Sequence, residues 1–308
     1  MSPYRLIIRS MIARIKAKRR GIPGLNFDSF GRLLAFKQLI AERKLSPVIM
    51  RGLSNPVSCV RYFEYAYAGS IVKEQMQQGN KIQSVLDISS PRLFPLWMVE
   101  KAGLSVHMIN PDQSDLDMSR HMARFVKNNR NLEFSDNVDA TRLPFDDSSF
   151  DMATSISVIE HVPDKGDSIM VSELNRVVRP GGLIILSFPV KPEFTNEYRD
   201  IDYYNTNQDK EKNGKYFFQR YYDAESIRKR ILSHSGIIEA GRQYWVESPA
   251  GWFEEYERDW MNKGIVQTVH DPELMSEHFI ATGSNHPKDS MGICCITLKV
   301  NKQAHQHL

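Results

Sequence analysis

Residues 84–103 read SVLDISSPRLFPLWMVEKAG: an apolar run, a sharp turn, then a helical pattern. The run ends at Asp87, and Ser89 and Ser90 occupy the turn. A helix start leaves several backbone N–H groups without partners, and two serine hydroxyls add to that set. Such a turn suits a nucleotide-like ligand, although glycine usually lets the backbone approach closely there. Ser90 can act as helix cap and Pro91 suits the first helical position, but Pro95 would then remove a backbone bond, so either the helix begins at Pro95 or its first turn is irregular. A second apolar run ends in Asn110-Pro111-Asp112, which could hold hydroxyls or simply make a turn. Farther on, Glu160 stands beside His161. An imidazole titrates near neutrality, so the pair could move a proton or merely cap the turn it sits in. No metal site is expected: Cys59, Cys294 and Cys295 include no CxxC pair.

These residues need a scaffold, and the hydrophobic rhythm supplies one. From about residue 82, short apolar runs alternate with amphipathic stretches. Strands are expected at 82–88, 104–110, 131–136, 150–158 and 183–190, with helices between them. One helix should start near Ser114 and Asp117 and run to about Asn129, and another should cover 164–178. This alternation predicts an α/β fold, doubly wound, with a mostly parallel Rossmann-like sheet. A helix at 223–236, a strand at 237–247 and a closing strand at 291–300 follow. In such sheets ligands bind at the carboxyl ends of the strands, where Asp87, Asn110 and His161 fall.

The ordered series NVDATRLPFDDSSFDMATSISVIEHV and ELNRVVRPGGLIILSFPV, over 137–190, resembles the class I S-adenosylmethionine-dependent methyltransferases, of the methyltransferase type 11 kind. The resemblance is close over 82–190 and loose over 221–247. It implies seven strands, the last antiparallel and supplied by 291–300, and S-adenosyl-L-methionine as cofactor. Asp87 would position the amino-acid end of the cofactor, with Ser89 and Ser90 in place of the family's glycines. Asn110, with Asp112 beyond it, would face the ribose hydroxyls, a position where the family has an acid. Asp139 and Ala140 would read adenine, and Ser155 and Ile156 would line the methionine end. His161, beside Glu160, would act as general base if the acceptor is a hydroxyl.

The domain reading is a basic, helical N-terminal extension at 1–59, a methyltransferase domain at 60–303 with substrate-cap insertions at 191–221 and 248–290, and a tail at 304–308. Both insertions are rich in aromatics and acids, which suits a sugar or another polyhydroxylated small molecule, or a cationic group. Residues 1–20 hold seven Lys/Arg and no acid, leaving the rest with 33 basic against 37 acidic residues. That acidic body argues against nucleic acid as a partner. Tyr4, Ile8, Met11, Ile12 and Ile15 share one helical face. The basic amphipathic segment could lie on an anionic membrane surface or dock on the body. With an odd cysteine count and no secretory pattern, a cytoplasmic location is expected, with membrane contact only at the periphery.

The expected function is methyl transfer to a hydroxyl of a small molecule, such as a sugar or a glycan- or lipid-linked precursor. The competing reading keeps the fold as a non-catalytic binding or scaffold protein, because the first turn lacks glycine. A nicotinamide enzyme is disfavoured because residues 89–94 read SSPRLF, not GxGxxG.

Overall fold

The computed structural model describes residues 3–79, 82–202, 210 and 214–301; the expected tail at 304–308 lies outside them. Its first five strands are β1 (Ser84–Ile88), β2 (Ser105–Asn110), β3 (Leu132–Asp136), β4 (Phe150–Ile156) and β5 (Val178–Val190). After them come β6 (Thr195–Arg199), β7 (Tyr216–Tyr221), β8 (Ile237–Glu247), β9 (Phe279–Gly283) and β10 (Gly292–Val300). The main sheet runs β3-β2-β1-β4-β5-β10-β8-β9, and β6 and β7 form a separate hairpin. Strands β1 to β5 pair in parallel, while β10 is antiparallel to both β5 and β8.

The expected sheet therefore forms, with one strand beyond the seven foreseen. The extra strand is β9, antiparallel to β8 at the sheet edge. It lies within the expected insertion at 248–290, where FIATG is short and its apolar signal is weak. Pairing with β8 is what makes it a strand.

Period-2 alternation sends neighbouring side chains to opposite faces. Leu86, Ile88, Ala153, Ile184, Leu186 and Cys294 pack on one face with Met170, Val171 and Leu174 of helix α7 (Gly166–Val177). Val85, Met152, Ile156, Ile185 and Cys295 face the other. Cys294 and Cys295 thus point apart, and both are free thiols. Burying each large aliphatic side chain contributes roughly 1.5–3 kcal/mol.

The opposite face is covered by the N-terminal helices and the first crossovers. These are α1 (Pro3–Arg19), α2 (Leu25–Glu42), α3 (Pro47–Ser54), α4 (Arg61–Gln77), α5 (Leu93–Ala102) and α6 (Gln113–Ala123). Ala17, Phe27, Phe30 and Leu34 of the extension share one core with Tyr62, Phe94 and Trp97. Gly24, between α1 and α2, has φ +80°, and a Cβ there would lie 2.3 Å from the Tyr62 carbonyl oxygen. The extension is therefore packed into the body.

Two helix starts differ from expectation. Helix α5 begins at Leu93, after a cap position at Arg92 with no side-chain bond. Pro95 is its third residue, where the backbone N–H has no intrahelical partner, so the ring removes nothing. Helix α6 is capped by Asp112, which accepts from the N–H groups of Ser114 and Asp115 at 2.9 and 3.3 Å. It ends at Ala123, well before Asn129. Beyond β7, a short helix α8 (Ala224–Ile227) passes into a wider turn, and α9 (Trp252–Lys263), α10 (Ile265–Thr268) and α11 (Asp271–His278) fill the second insertion.

Candidate functional site

The turn after β1 keeps a glycine-like shape without glycine. Ser89 has φ +52°, in the left-handed region that costs a side-chain-bearing residue roughly 1–2 kcal/mol. It is held by two contacts to Ile109 at the end of β2: its N–H donates to the carbonyl at 2.9 Å and its hydroxyl at 3.2 Å. Ser90 is buried, and its Oγ accepts from the Ile156 N–H at 3.1 Å, tying the turn to the end of β4. Asp87 is fully buried. It accepts from the Thr154 hydroxyl at 2.6 Å and the Ser90 N–H at 3.2 Å, and burial raises its pKa to about 6.

The second strand end is also internally bonded. Asn110 accepts from the Asp112 N–H at 2.9 Å and donates to Asp115 at 3.0 Å. Asp115 forms an ion pair with Arg92, which reaches across from the first turn. Asp112 is exposed at the start of α6. In the loop beyond β3, Asp139 is exposed; one carboxylate oxygen takes the N–H and hydroxyl of Thr141 at 2.8 and 2.7 Å. Ala140 packs against the second core. In β4, Ser155 and Ile156 are buried, and the Ser155 hydroxyl has no partner.

Glu160 and His161 lie in a short helical turn just past β4, at the wall of a cavity of about 240 Å³. The His161 Nδ1 donates to the Phe218 carbonyl oxygen at 2.7 Å. That bond selects the tautomer in which Nε2 is the acceptor nitrogen. Burial lowers the His161 pKa to about 4, so the ring is neutral at physiological pH. Glu160 is 2% exposed; burial raises its pKa to about 8, and its Oε2 has no partner. Its other oxygen is 3.7 Å from His161 Nε2.

Other walls come from distant parts of the chain. Arg61 opens α4, Arg199 and Phe218 come from the β6–β7 hairpin, Tyr256 and Glu257 from α9, and Met291 from the approach to β10. The Arg199 guanidinium stacks 3.4 Å from the Phe218 ring centroid, with its Nε 2.8 Å from Glu197. Burial raises the Glu257 pKa to about 7, with Glu197 adding repulsion. Behind Arg61, fully buried Glu64 accepts from the hydroxyls of Ser157 and Ser187 at 2.5 and 2.7 Å, bracing the ends of β4 and β5.

The aromatic insertions divide by role. Phe218, Tyr221, Phe253 and Tyr256 line the cavity. Tyr222 instead binds buried Asp167 at 2.9 Å, Trp245 stacks on Phe63, and Trp252 stacks on His278. Arg61, Glu64 and Arg199 were missed from the sequence. The Arg61–Glu64 spacing of one helical turn inside an aromatic helix was a usable signal; Arg199 gave none. Among the described residues no His, Cys, Asp and Glu cluster could hold a metal ion.

In strand order and sequence the chain is similar to the class I S-adenosylmethionine-dependent methyltransferases, whose cofactor is S-adenosyl-L-methionine. Residues 93–186 match the family model described as methyltransferase domain. Methyltransferase GfsG of Streptomyces halstedii is 32% identical over 126 residues, 40% of this chain and 44% of that protein. A demethylmenaquinone methyltransferase of Staphylococcus haemolyticus is 41% identical over 64 residues, 20% of this chain and 26% of that one. The chain thus spans less than half the length of these curated relatives. In fold it is similar to a solved chain assigned as a sarcosine dimethylglycine methyltransferase of Galdieria sulphuraria, with TM-score 0.50 and 12% identity over 76% of this chain and 86% of that one.

The residues present fit that cofactor in part. The orphaned Ser155 hydroxyl and the left-handed step at Ser89 suit a ligand crossing the ends of β1 and β4. Asp139 offers an exposed carboxylate on the same sheet end. Asn110 and Asp115 bond each other, so a ribose would have to exchange with them.

Proposed function

We propose that this chain transfers a methyl group to a hydroxyl of a small polar molecule, with a sugar or a glycan- or lipid-linked precursor as the acceptor class. Bound S-adenosylmethionine supplies an electrophilic methyl group, so the chain's own task is to orient the acceptor, exclude water and take up a proton. In this reading Asp87, Ser89 and Ser90 shape the first turn. Asn110 and Asp112 take the ribose, Asp139 and Ala140 the adenine, and Ser155 and Ile156 the methionine end.

The observation that carries the proposal is the cavity beyond β4, where neutral His161 presents its acceptor nitrogen beside Glu160. Its remaining walls suit a polyhydroxylated acceptor: aromatic faces at Phe218 and Tyr256, and hydrogen-bonding groups at Arg199, Gln219 and Glu257. When His161 takes the acceptor proton it becomes a cation 3.7 Å from a Glu160 oxygen. An ionised Glu160 stabilises that cation; a protonated one does not.

The test has two stages. Calorimetric titration with S-adenosylhomocysteine should show binding, and its absence at high protein concentration would end the enzymatic reading. A methyl-transfer assay on sugars, sugar nucleotides and amines then separates oxygen from nitrogen acceptors. Turnover confined to amines would overturn the hydroxyl assignment.

A further inference from the structure

Helix α1 docks with the side opposite to the one its sequence recommends. Ser10, Ala13 and Ala17 are buried at 1, 0 and 0% exposure, and Leu6 lies with them. The Ser10 hydroxyl donates to the Ser54 carbonyl and accepts from Arg32 at 2.6 Å, which fixes the orientation of the helix. The large apolar residues lie on the opposite face. Tyr4, Ile8, Met11, Ile12 and Ile15 are 80, 55, 54, 49 and 53% exposed. Leu33, Phe36 and Ile40 make a second exposed apolar row on α2.

The stripe is bordered by positive charge. Arg14, Lys16 and Arg20 are paired with Asp28, Glu273 and Glu277. Arg5, Arg9, Lys18 and Arg19 remain exposed, and α1 contains no acidic residue. Apolar side chains flanked by unneutralised cations match an interface with apolar chains beneath anionic headgroups. A second copy of this chain matches less well. A two-fold contact would set the same basic borders against each other with no acid on α1 to answer them.

We infer that the outer face of α1 is a docking surface for an anionic lipid bilayer. This goes beyond the proposed reaction and does not depend on it. The helix lies along the surface; no described helix is long and apolar enough to cross a membrane.

The full chain is tested by flotation with vesicles of phosphatidylcholine alone and of phosphatidylcholine mixed with phosphatidylserine. The wild type should float with the mixed vesicles only, and high salt should weaken this. Ile8→Asp/Ile12→Asp and Arg5→Glu/Arg9→Glu should each reduce binding roughly tenfold or more. Both variants should keep the wild-type melting temperature, because all four side chains are exposed. Three results would overturn the inference: no flotation of the wild type, flotation of both variants equal to that of the wild type, or a solution dimer that Ile8→Asp/Ile12→Asp dissolves without any vesicle binding. S-adenosylhomocysteine titration of the same samples separates this outcome from failure of the methyltransferase reading.

Discussion

His161 and Glu160 are neighbours in sequence that burial drives in opposite directions, one to about 4 and the other to about 8. Near neutrality both are uncharged. The proposed proton transfer creates a cation on His161, so the rate should rise as Glu160 ionises. The expected profile of kcat/KM climbs through about pH 8, and Glu160→Gln should flatten it at a low level. His161→Ala should lower kcat by about 10²–10⁴-fold. A profile in Glu160→Gln that still climbs near pH 8 would place the titration elsewhere. Stability carries its own signature. Glu160 binds its proton more tightly in the folded state, so its contribution is full below about pH 4.5 and is lost as pH rises toward 8. Melting temperatures should fall across that window in the wild type and fall less in Glu160→Gln.

The turn between β1 and α5 is the element on which the proposed cofactor binding rests. Its serines do the work of glycine through hydrogen bonds: Ser89 holds a left-handed conformation because Ile109 accepts from it twice. Ser89→Gly relieves the strain but loses the hydroxyl bond and loosens the unfolded chain. The net change in melting temperature should be small, and affinity for S-adenosylhomocysteine should hold or increase. A tenfold loss of affinity by calorimetry would mean that the hydroxyl itself binds ligand. A different element-scale test concerns the N-terminal extension. Gly69 of α4 sits under Phe27 of α2, where a Cβ would lie 2.6 Å from the ring. Gly69→Ala should destabilise the whole protein by roughly 1–3 kcal/mol in thermal unfolding, because the ring must shift within a shared core.

Across the whole molecule, the sheet brings together side chains that are far apart in sequence. Arg61, His161, Phe218 and Tyr256 meet at one cavity because the first opens a helix on the sheet, the second follows β4, and the hairpin and α9 fold over the strand ends. A ligand bound across those ends links several elements and must stabilise all of them. S-adenosylhomocysteine at a hundredfold excess over its Kd should add about 2.7 kcal/mol to unfolding. Asp139→Ala should reduce that gain at fixed ligand concentration while leaving the ligand-free melting temperature nearly unchanged, since Asp139 is exposed. An unchanged shift in Asp139→Ala would remove its adenine role.

Much of this architecture could be read directly from residue order. Strand β4 announces itself as FDMATSI, β5 and β10 as long apolar runs, and the strand-end positions of Asp87, Asn110 and His161 follow from them. Local periodicity suffices there because a doubly wound sheet alternates strand and helix in sequence as it does in space. The same periodicity finds the stripe of Tyr4, Ile8, Met11, Ile12 and Ile15 on α1 but not the face by which it docks, since the helix packs on its small side. Hydrophobicity alone cannot report that Ala13 and Ala17 allow close approach and that Arg32 captures Ser10. Strand β9, the Arg61–Glu64 brace and the place of Arg199 in the cavity wall are likewise products of long-range contact. Residue types therefore determined the sheet and the strand ends at which chemistry can occur. Tertiary packing decided which side chains face that point, because burial and hydrogen bonding between distant segments set orientation and charge state.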